Sequence, residues 1–405
     1  MATPSMPSLS KPEPALQAGP LAGIRVLDLS GYIAGPYGCT LLADQSAEVT
    51  KIEAPDGDNL RKYPSTLAAE GRAFMGVNRG KEGIALDLKQ AQGREVLLRL
   101  VRSADVLVHN FRPSVPGRLR IDHETLREVN PRLIYCSLTG YGDTGPLKDK
   151  AGYDQVLQAM TGICAMQGPP GEPAIVYGSV VDYYAAALLA AGVASALYQR
   201  ERSGCGQHVK ISLMRSALAM QSARLVWAQD EARDVYRDMR SGGITGLHPT
   251  REGSLYISAN TPHFWEALCE LIGMPELAAD DRYDTVRKRA EKADEIVPLI
   301  RRALQRRTAL EWEDLFGERV PCSAVRQVED MFDHPQVTAE GMVQQFEHPL
   351  VGSYRGLSRA IGFSDAPLPP AKPAPTFGQH SDEVLARHGY GADEIARLRR
   401  DAVVA

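Results

Sequence analysis

The sequence lacks the short signatures that mark several enzyme classes. Its 405 residues contain no G-x-S-x-G elbow, no H-E-x-x-H and no P-loop, which removes the usual signals of serine hydrolase, zincin and P-loop chemistry. Cysteine is sparse: Cys39, Cys136, Cys164, Cys205, Cys269 and Cys322 stand singly, with no C-x-x-C pair and no tight Cys/His spacing. They read as thiols of a reducing, cytoplasmic compartment, and nine scattered histidines nominate no metal. Charge of one sign is not in excess. Lys and Arg total 46 against 50 Asp and Glu, and no basic block stands out, so nucleic acid is not expected as a partner. Long apolar runs are missing too. The most apolar one, Tyr183 to Tyr198, falls short of the ~20 residues a membrane span needs and is alanine-rich, so it reads as a buried helix and no membrane is expected. The first 20 residues have no apolar core and no arginine but five prolines, and read as a disordered leader.

What is present is an alternation of short apolar strands with helical stretches. Ile24 to Ser30, Glu48 to Ala54, Asp105 to Phe111 and Leu133 to Gly140 read as strands, and the segments between the last three carry helical apolar spacing. The pattern predicts an α/β fold with a mainly parallel, doubly wound sheet, whose ligands would bind beyond the carboxyl ends of the strands. That places SGYIAGP, KIEAPDGDNLR, HNFRP and LTGYGDTG at one rim. KISLMRSALAMQSARLVWAQ reads as a further buried helix, and the composition shift after it marks a crossing into a second, smaller domain. The expected organisation is residues 1–20 as leader, 21–220 as the first part of a large domain, 221–330 as a small α+β domain, and 331–405 as a return to the large one. A proline tract, APLPPAKPAP, would act as a fixed strap.

Gly140 to Gly145 matches G-x-G-x-x-G after a predicted strand, yet Pro146 to Lys150 offer no apolar helical face, so it reads as a glycine-rich loop rather than a dinucleotide fingerprint. Asp182 has a different setting. It lies between an apolar, strand-like run, Ile175 to Val181, and the apolar helix. From spacing it is an N-cap bonded to backbone N–H groups, or a reactive carboxylate kept ionised by the helix terminus.

Taken in order, LAGIRVLDLSGYIAGP, KIEAPDGD, NRGKEGIALDLK, DVLVHNFRP, NPRLIYCSLTGYGDTGP, GYDQVLQAMTG and VVDYYAAALLAAGVASALYQRERSGCGQHVKISL resemble the class III CoA-transferases. That family also contains carnitine CoA-transferases, formyl-CoA transferases and α-methylacyl-CoA racemases. The resemblance spans residues 21–405. It implies a Rossmann-like large domain built from both chain ends, a smaller domain, and an interlaced, ring-like homodimer. It implies acyl-CoA and a carboxylic acid as substrates, with coenzyme A as part of the substrate and no tightly bound cofactor. It raises the nucleophile reading of Asp182 above the capping one, through aspartyl anhydride and aspartyl-CoA thioester intermediates.

The resemblance also carries binding residues. Arg61, Leu86, Lys89, Asn110, Phe111 and Arg118 fall where the family holds CoA, and Ala54 stands where many relatives have an arginine. Gly242, Gly243 and Gly246 fall where a glycine loop closes over the aspartate; on local sequence they are equally a plain turn. Tyr153 occupies the place where the racemases carry histidine. A phenol, with an ordinary pKa of about 10, is a weak base at neutral pH, so a racemase is disfavoured and a substrate contact is expected. Gly31 and Ile33 replace the His and Gln of relatives that handle oxalyl groups, which points to a larger acid, with succinyl-CoA as donor.

Overall fold

The computed structural model describes residues 19–168, 171–232, 243–366 and 370–405. The chain divides into two compact units: Met1–Leu225 with Gln336–Ala405, and Val226–Pro335. The sequence placed these boundaries at 220/221 and 330/331.

The first unit is built on six strands: β1 (Arg25–Asp28), β2 (Glu48–Glu53), β3 (Lys81–Ala85), β4 (Val106–His109), β5 (Ile134–Thr139) and β6 (His208–Ser212). They lie in the order β3-β2-β1-β4-β5-β6 and every pair is parallel. This is the doubly wound order in which the chain reverses its direction of travel between β1 and β4, opening a crevice at the carboxyl ends. Val26, Val106, Val108, Ile134 and Cys136 pack on one face of the sheet. Leu27, Ile52, Ile84, Leu107 and Tyr135 pack on the other. Burial on both faces is why the central strands β4 and β5 read as nearly continuous apolar runs.

Eight helices accompany the sheet: α1 (Ala34–Ala43), α2 (Arg72–Asn78), α3 (Ala91–Val101), α4 (Ser114–Leu119), α5 (His123–Val129), α6 (Asp154–Met160), α7 (Val180–Ser203) and α8 (Leu213–Ala219). The C-terminal helices Ser381–Arg387 and Ala392–Arg400 return to the second face through Val384, Leu385, Ile395 and Leu398. Arg61 donates to the Pro375 carbonyl, which pins the end of the proline strap. Residues 343–357 form the antiparallel pair Val343–His348 and Gly352–Leu357.

Three sequence expectations are corrected. Ile175 to Val181 is no strand: Gly178 and Ser179 both have positive φ, 105° and 59°, which breaks an extended run, and α7 begins at Val180. The helix therefore has 24 residues rather than the 16 of the apolar run, ending at Gly204 in the left-handed conformation usual for that position. Its length and composition would allow a membrane crossing, yet Val181, Ala185, Leu189, Val193 and Ala196 are buried in the core of this unit. KISLMRSALAMQ is not one helix but the end of β6 followed by α8, with the Ser212 hydroxyl accepting from Arg215 N at 3.2 Å as the cap. β3 was not foreseen, because KEGIA carries two charges and a glycine; Lys81 is buried in an ion pair with Asp28 at 2.8 Å.

α1 packs against α7 at close range. A Cβ on Gly38 would lie 2.9 Å from the Leu189 side chain and 3.2 Å from the Ala186 carbonyl. That contact holds the α7 N-terminus against the helix that follows β1.

The second unit has its own core of Trp265, Leu268, Ile300, Trp312 and Phe316. Its antiparallel strands are Gly246–Pro249, Ser254–Ile257 and Cys322–Ala324. The helix Pro262–Leu271 buries Trp265, Leu268 and Cys269 in that core.

Candidate active site

A cavity of about 290 Å³ opens at the carboxyl ends of the first unit's strands. Tyr32, Ile33 and Ala34 come to it from the β1–α1 turn, Asn110 to Pro113 from the turn after β4, and Leu138 to Gly140 from the end of β5. Tyr153, Asp154 and Asp182 complete the wall. The site sits where the strand order reverses, as expected for such sheets.

The turn after β1 is clamped from several sides. Asn110 Oδ1 accepts from Gly31 N at 2.9 Å, and Asn110 Nδ2 donates to Gly31 O at 2.7 Å. Asp58 accepts from Tyr32 N at 3.2 Å and from Leu60 N at 3.0 Å. Lys51, buried beneath, pairs with Asp58 at 2.9 Å and donates to Ser30 O. Burial alone would raise the Asp28 pKa, but Lys81 and Lys51 outweigh it and hold the carboxyl below its ordinary value.

Close backbone contact brings the opposite wall in. Gly140, just past β5, approaches Gly152 so tightly that a Cβ on Gly140 would lie 2.9 Å from the Gly152 Cα. Tyr153 and Asp154 follow directly. The glycine run of the G-x-G-x-x-G match opens no helix: the next one, α6, begins at Asp154.

Asp154 settles the capping question. It is 2% exposed, and its Oδ2 accepts from Val181 N at 2.6 Å and Asp182 N at 3.0 Å, the first turn of α7. Its other oxygen accepts from Gln158, which also bonds both to Val176 O and from Val176 N at 2.9 Å each. The cap of α7 is therefore a residue from α6, not Asp182. Among the described residues nothing donates a hydrogen bond to the Asp182 carboxylate, which lines the cavity. Burial, with the Asp154 charge adding to it, pushes the Asp182 pKa up to about 7.

The expected site residues separate into groups. Asp182, Tyr153, Asn110 and Phe111 meet in the cavity. Lys89 and Arg118 are exposed outside its lining. Arg61 is corrected: its guanidinium is bound to Glu53 at 2.7 Å, to Glu70 and to Pro375 O, so its donors serve the fold. Leu86 is likewise corrected. It is 1% exposed in the core and bridged to Val404, leaving no side-chain surface for a ligand. Gly242 lies outside the described residues. Gly243 and Gly246 belong to the second unit, with φ of 89° and 153° at the head of its first strand.

Sequence reasoning missed Asp154, Arg112, Lys148 and Lys150 as lining residues. Among the described residues Arg112, Lys148 and Lys150 have no acidic partner, and neither do Lys89 and Arg118. Unpaired cations at a cavity mouth were the available signal for anion binding.

With this geometry in view, the comparisons with known proteins speak to one class. The pattern of CoA-transferase family III matches residues 21–381, and the chain belongs to that family. It is an enzyme, a class III CoA-transferase. It is 36% identical to the acetyl-CoA:oxalate CoA-transferase of Acetobacter aceti, over 83% of this chain and 88% of that protein. It is 34% identical to the succinate–glutarate CoA-transferase of Agrobacterium fabrum, over 91% of this chain and 95% of the relative. A solved CaiB/BaiF family protein from Brucella suis superposes with a TM-score of 0.79 at 29% identity, covering 92% of this chain and all (100%) of the other.

Proposed function

We propose that the protein moves CoA from an acyl-CoA donor, succinyl-CoA in the first instance, to a free dicarboxylic acid, with Asp182 as the covalent carrier. The observation that carries this reading is the Asp182 carboxylate itself: it lines the cavity without a hydrogen-bond partner among the described residues, while Asp154 caps its helix. A carboxylate with a pKa of about 7 is half ionised at neutral pH and weakly solvated, which suits a nucleophile.

The chemistry then runs in balanced exchanges. An Asp182 oxygen attacks the thioester carbon, CoA thiolate leaves, and a mixed anhydride joins the acyl group to the aspartate. The thiolate attacks the aspartyl carbonyl, releasing the donor acid and leaving an aspartyl-CoA thioester. The acceptor carboxylate attacks that thioester, expelling thiolate and forming a second anhydride. Thiolate attack on the acceptor's acyl carbon gives the new acyl-CoA and frees Asp182. The acyl bond is exchanged rather than hydrolysed, so the site must keep water from the anhydrides.

Asn110, Phe111, Lys89 and Arg118, with Arg112, Lys148 and Lys150, are the residues we assign to CoA. The glutarate in the names of relatives supports a dicarboxylate acceptor larger than oxalate. The Acetobacter relative favours a second reading, oxalate as acceptor, against which stand Gly31 and Ile33 at the turn. A racemase needs a second proton carrier beside Asp182, and no histidine lines the cavity among the described residues. We further assign the working form as a cytoplasmic, interlaced homodimer. An acceptor screen with succinyl-CoA, read by mass spectrometry, tests the substrate reading: best turnover on a dicarboxylate larger than oxalate is expected, and best turnover on oxalate would overturn it.

A further inference from the structure

The residue in the cavity that the site description leaves without a role is Tyr32. It has a backbone φ of 63°, a strained conformation that is unusual for a bulky side chain. The surroundings over-determine it. Asn110 grips Gly31 on both its N–H and its carbonyl, Asp58 takes the Tyr32 N–H, and Asn59 donates to the Tyr32 hydroxyl at 3.0 Å. Beneath them, Lys51 joins Asp58 to the Ser30 carbonyl.

This strained backbone brings the ring into contact with two others. Tyr32 meets Tyr153 edge-on at a centroid distance of 5.7 Å and Tyr63 at 6.5 Å. All three rings line the same cavity as Asp182. Its volume, about 290 Å³, is at the floor of the ~300–1,000 Å³ usual for small-molecule pockets, so a single phenol occupies a large share of what an acid could use.

We propose that Tyr32 is a specificity-determining residue: its ring, fixed by the clamp on the β1–α1 turn, sets the longest acceptor acid that the cavity admits. This rests on the CoA-transfer reading of Asp182. The acceptor must bring one carboxylate to the aspartyl thioester, so the rest of its chain has to fit between that point and the tyrosine wall. Acids up to the length of glutarate are admitted and longer straight-chain diacids are excluded by size. Pockets discriminate one methylene by ~10- to 200-fold, so the removal of a phenol has a large effect on this selection.

The test is a ladder of acceptors, glutaric through adipic and pimelic to suberic acid, with succinyl-CoA as donor. kcat and KM are measured for wild type, Tyr32→Gly and Tyr32→Phe. Glycine accepts the left-handed backbone without strain, so this variant retains the turn while removing the ring. For Tyr32→Gly, kcat/KM for suberate relative to glutarate rises at least about tenfold, mainly through the suberate KM. Tyr32→Phe, which keeps the ring and loses only the hydroxyl with its bonds to Asn59 and Tyr153, keeps the wild-type order. A Tyr32→Gly ratio within about twofold of wild type overturns the proposal, as does a Tyr32→Phe profile that matches Tyr32→Gly. Wild type that transfers CoA to no acid on the ladder overturns the reading of a dicarboxylate larger than oxalate as acceptor, on which the proposal rests, a result distinct from an unchanged ratio.

Discussion

At the scale of the residue, the proposed chemistry rests on two carboxylates with separate duties. Asp154 spends its lone pairs on the first turn of α7, and its charge helps burial to raise Asp182. Two expectations follow from the sign of that shift. The proposed nucleophile acts as the ionised aspartate, so kcat/KM should fall with an apparent pKa near 7 as pH is lowered. Asp154→Asn removes the adjacent charge while retaining an acceptor oxygen, and should move that limb about one pH unit downward in a pH–rate profile. An unmoved limb would detach Asp154 from the titration. Stability runs the other way. Because the folded pKa of Asp182 lies above its ordinary value, the group favours the folded state at low pH, and that contribution is lost as pH rises through about 7. Asp182→Asn should therefore melt higher than wild type at pH 8, by roughly 1–4 kcal/mol in a urea titration, with the gap closing below pH 4.

At the scale of the element, the site depends on a glycine contact between β5 and the segment entering α6. Gly140→Ala should cost about 1–3 kcal/mol of stability and lower activity with it, since the added methyl meets backbone at Gly152 and displaces Tyr153 and Asp154. Circular dichroism melts beside a kinetic assay check this; an unaffected variant would show that the contact is not structural. Much of this element scale was legible in the sequence. β1, β2, β4 and β5 fall within one or two residues of their predicted places because buried parallel strands are apolar on both faces. β3 and β6 escaped notice: one hides a lysine that only its burial against Asp28 explains, and the other runs without punctuation into α8. The start of α7 was misread because Val180 and Val181 look like a strand until the positive φ values of Gly178 and Ser179 are known. Asp154 was invisible as a cap. It acts on a helix beginning 26 residues later, and no local pattern connects the two. Among the residues expected from the resemblance to hold CoA, Asn110 and Phe111 line the cavity, whereas Arg61 and Leu86 show that a position in a motif does not reveal whether the side chain is already committed to the fold.

At the scale of the whole molecule, the first unit places ionic pairs beneath its catalytic rim rather than an unbroken apolar core. Asp28 and Lys81 are wholly buried, and Lys51 with Asp58 nearly so. Breaking such a pair from one side leaves an uncompensated charge, so Lys81→Met should destabilise the protein by about 3–5 kcal/mol, whereas pairs on the surface cost little. Denaturant midpoints decide it: a loss below about 1 kcal/mol would mean that Asp28 finds another partner. The last part of the chain returns to this unit, where the C-terminal helices pack on one face of its sheet. The measurement that bears most directly on the central claim is mass spectrometry of the protein quenched with hydroxylamine during turnover with succinyl-CoA. A hydroxamate is expected on the peptide containing Asp182 and none in Asp182→Asn, which should still bind CoA. Turnover without modification at that residue, or substantial transfer by the variant, would contradict it.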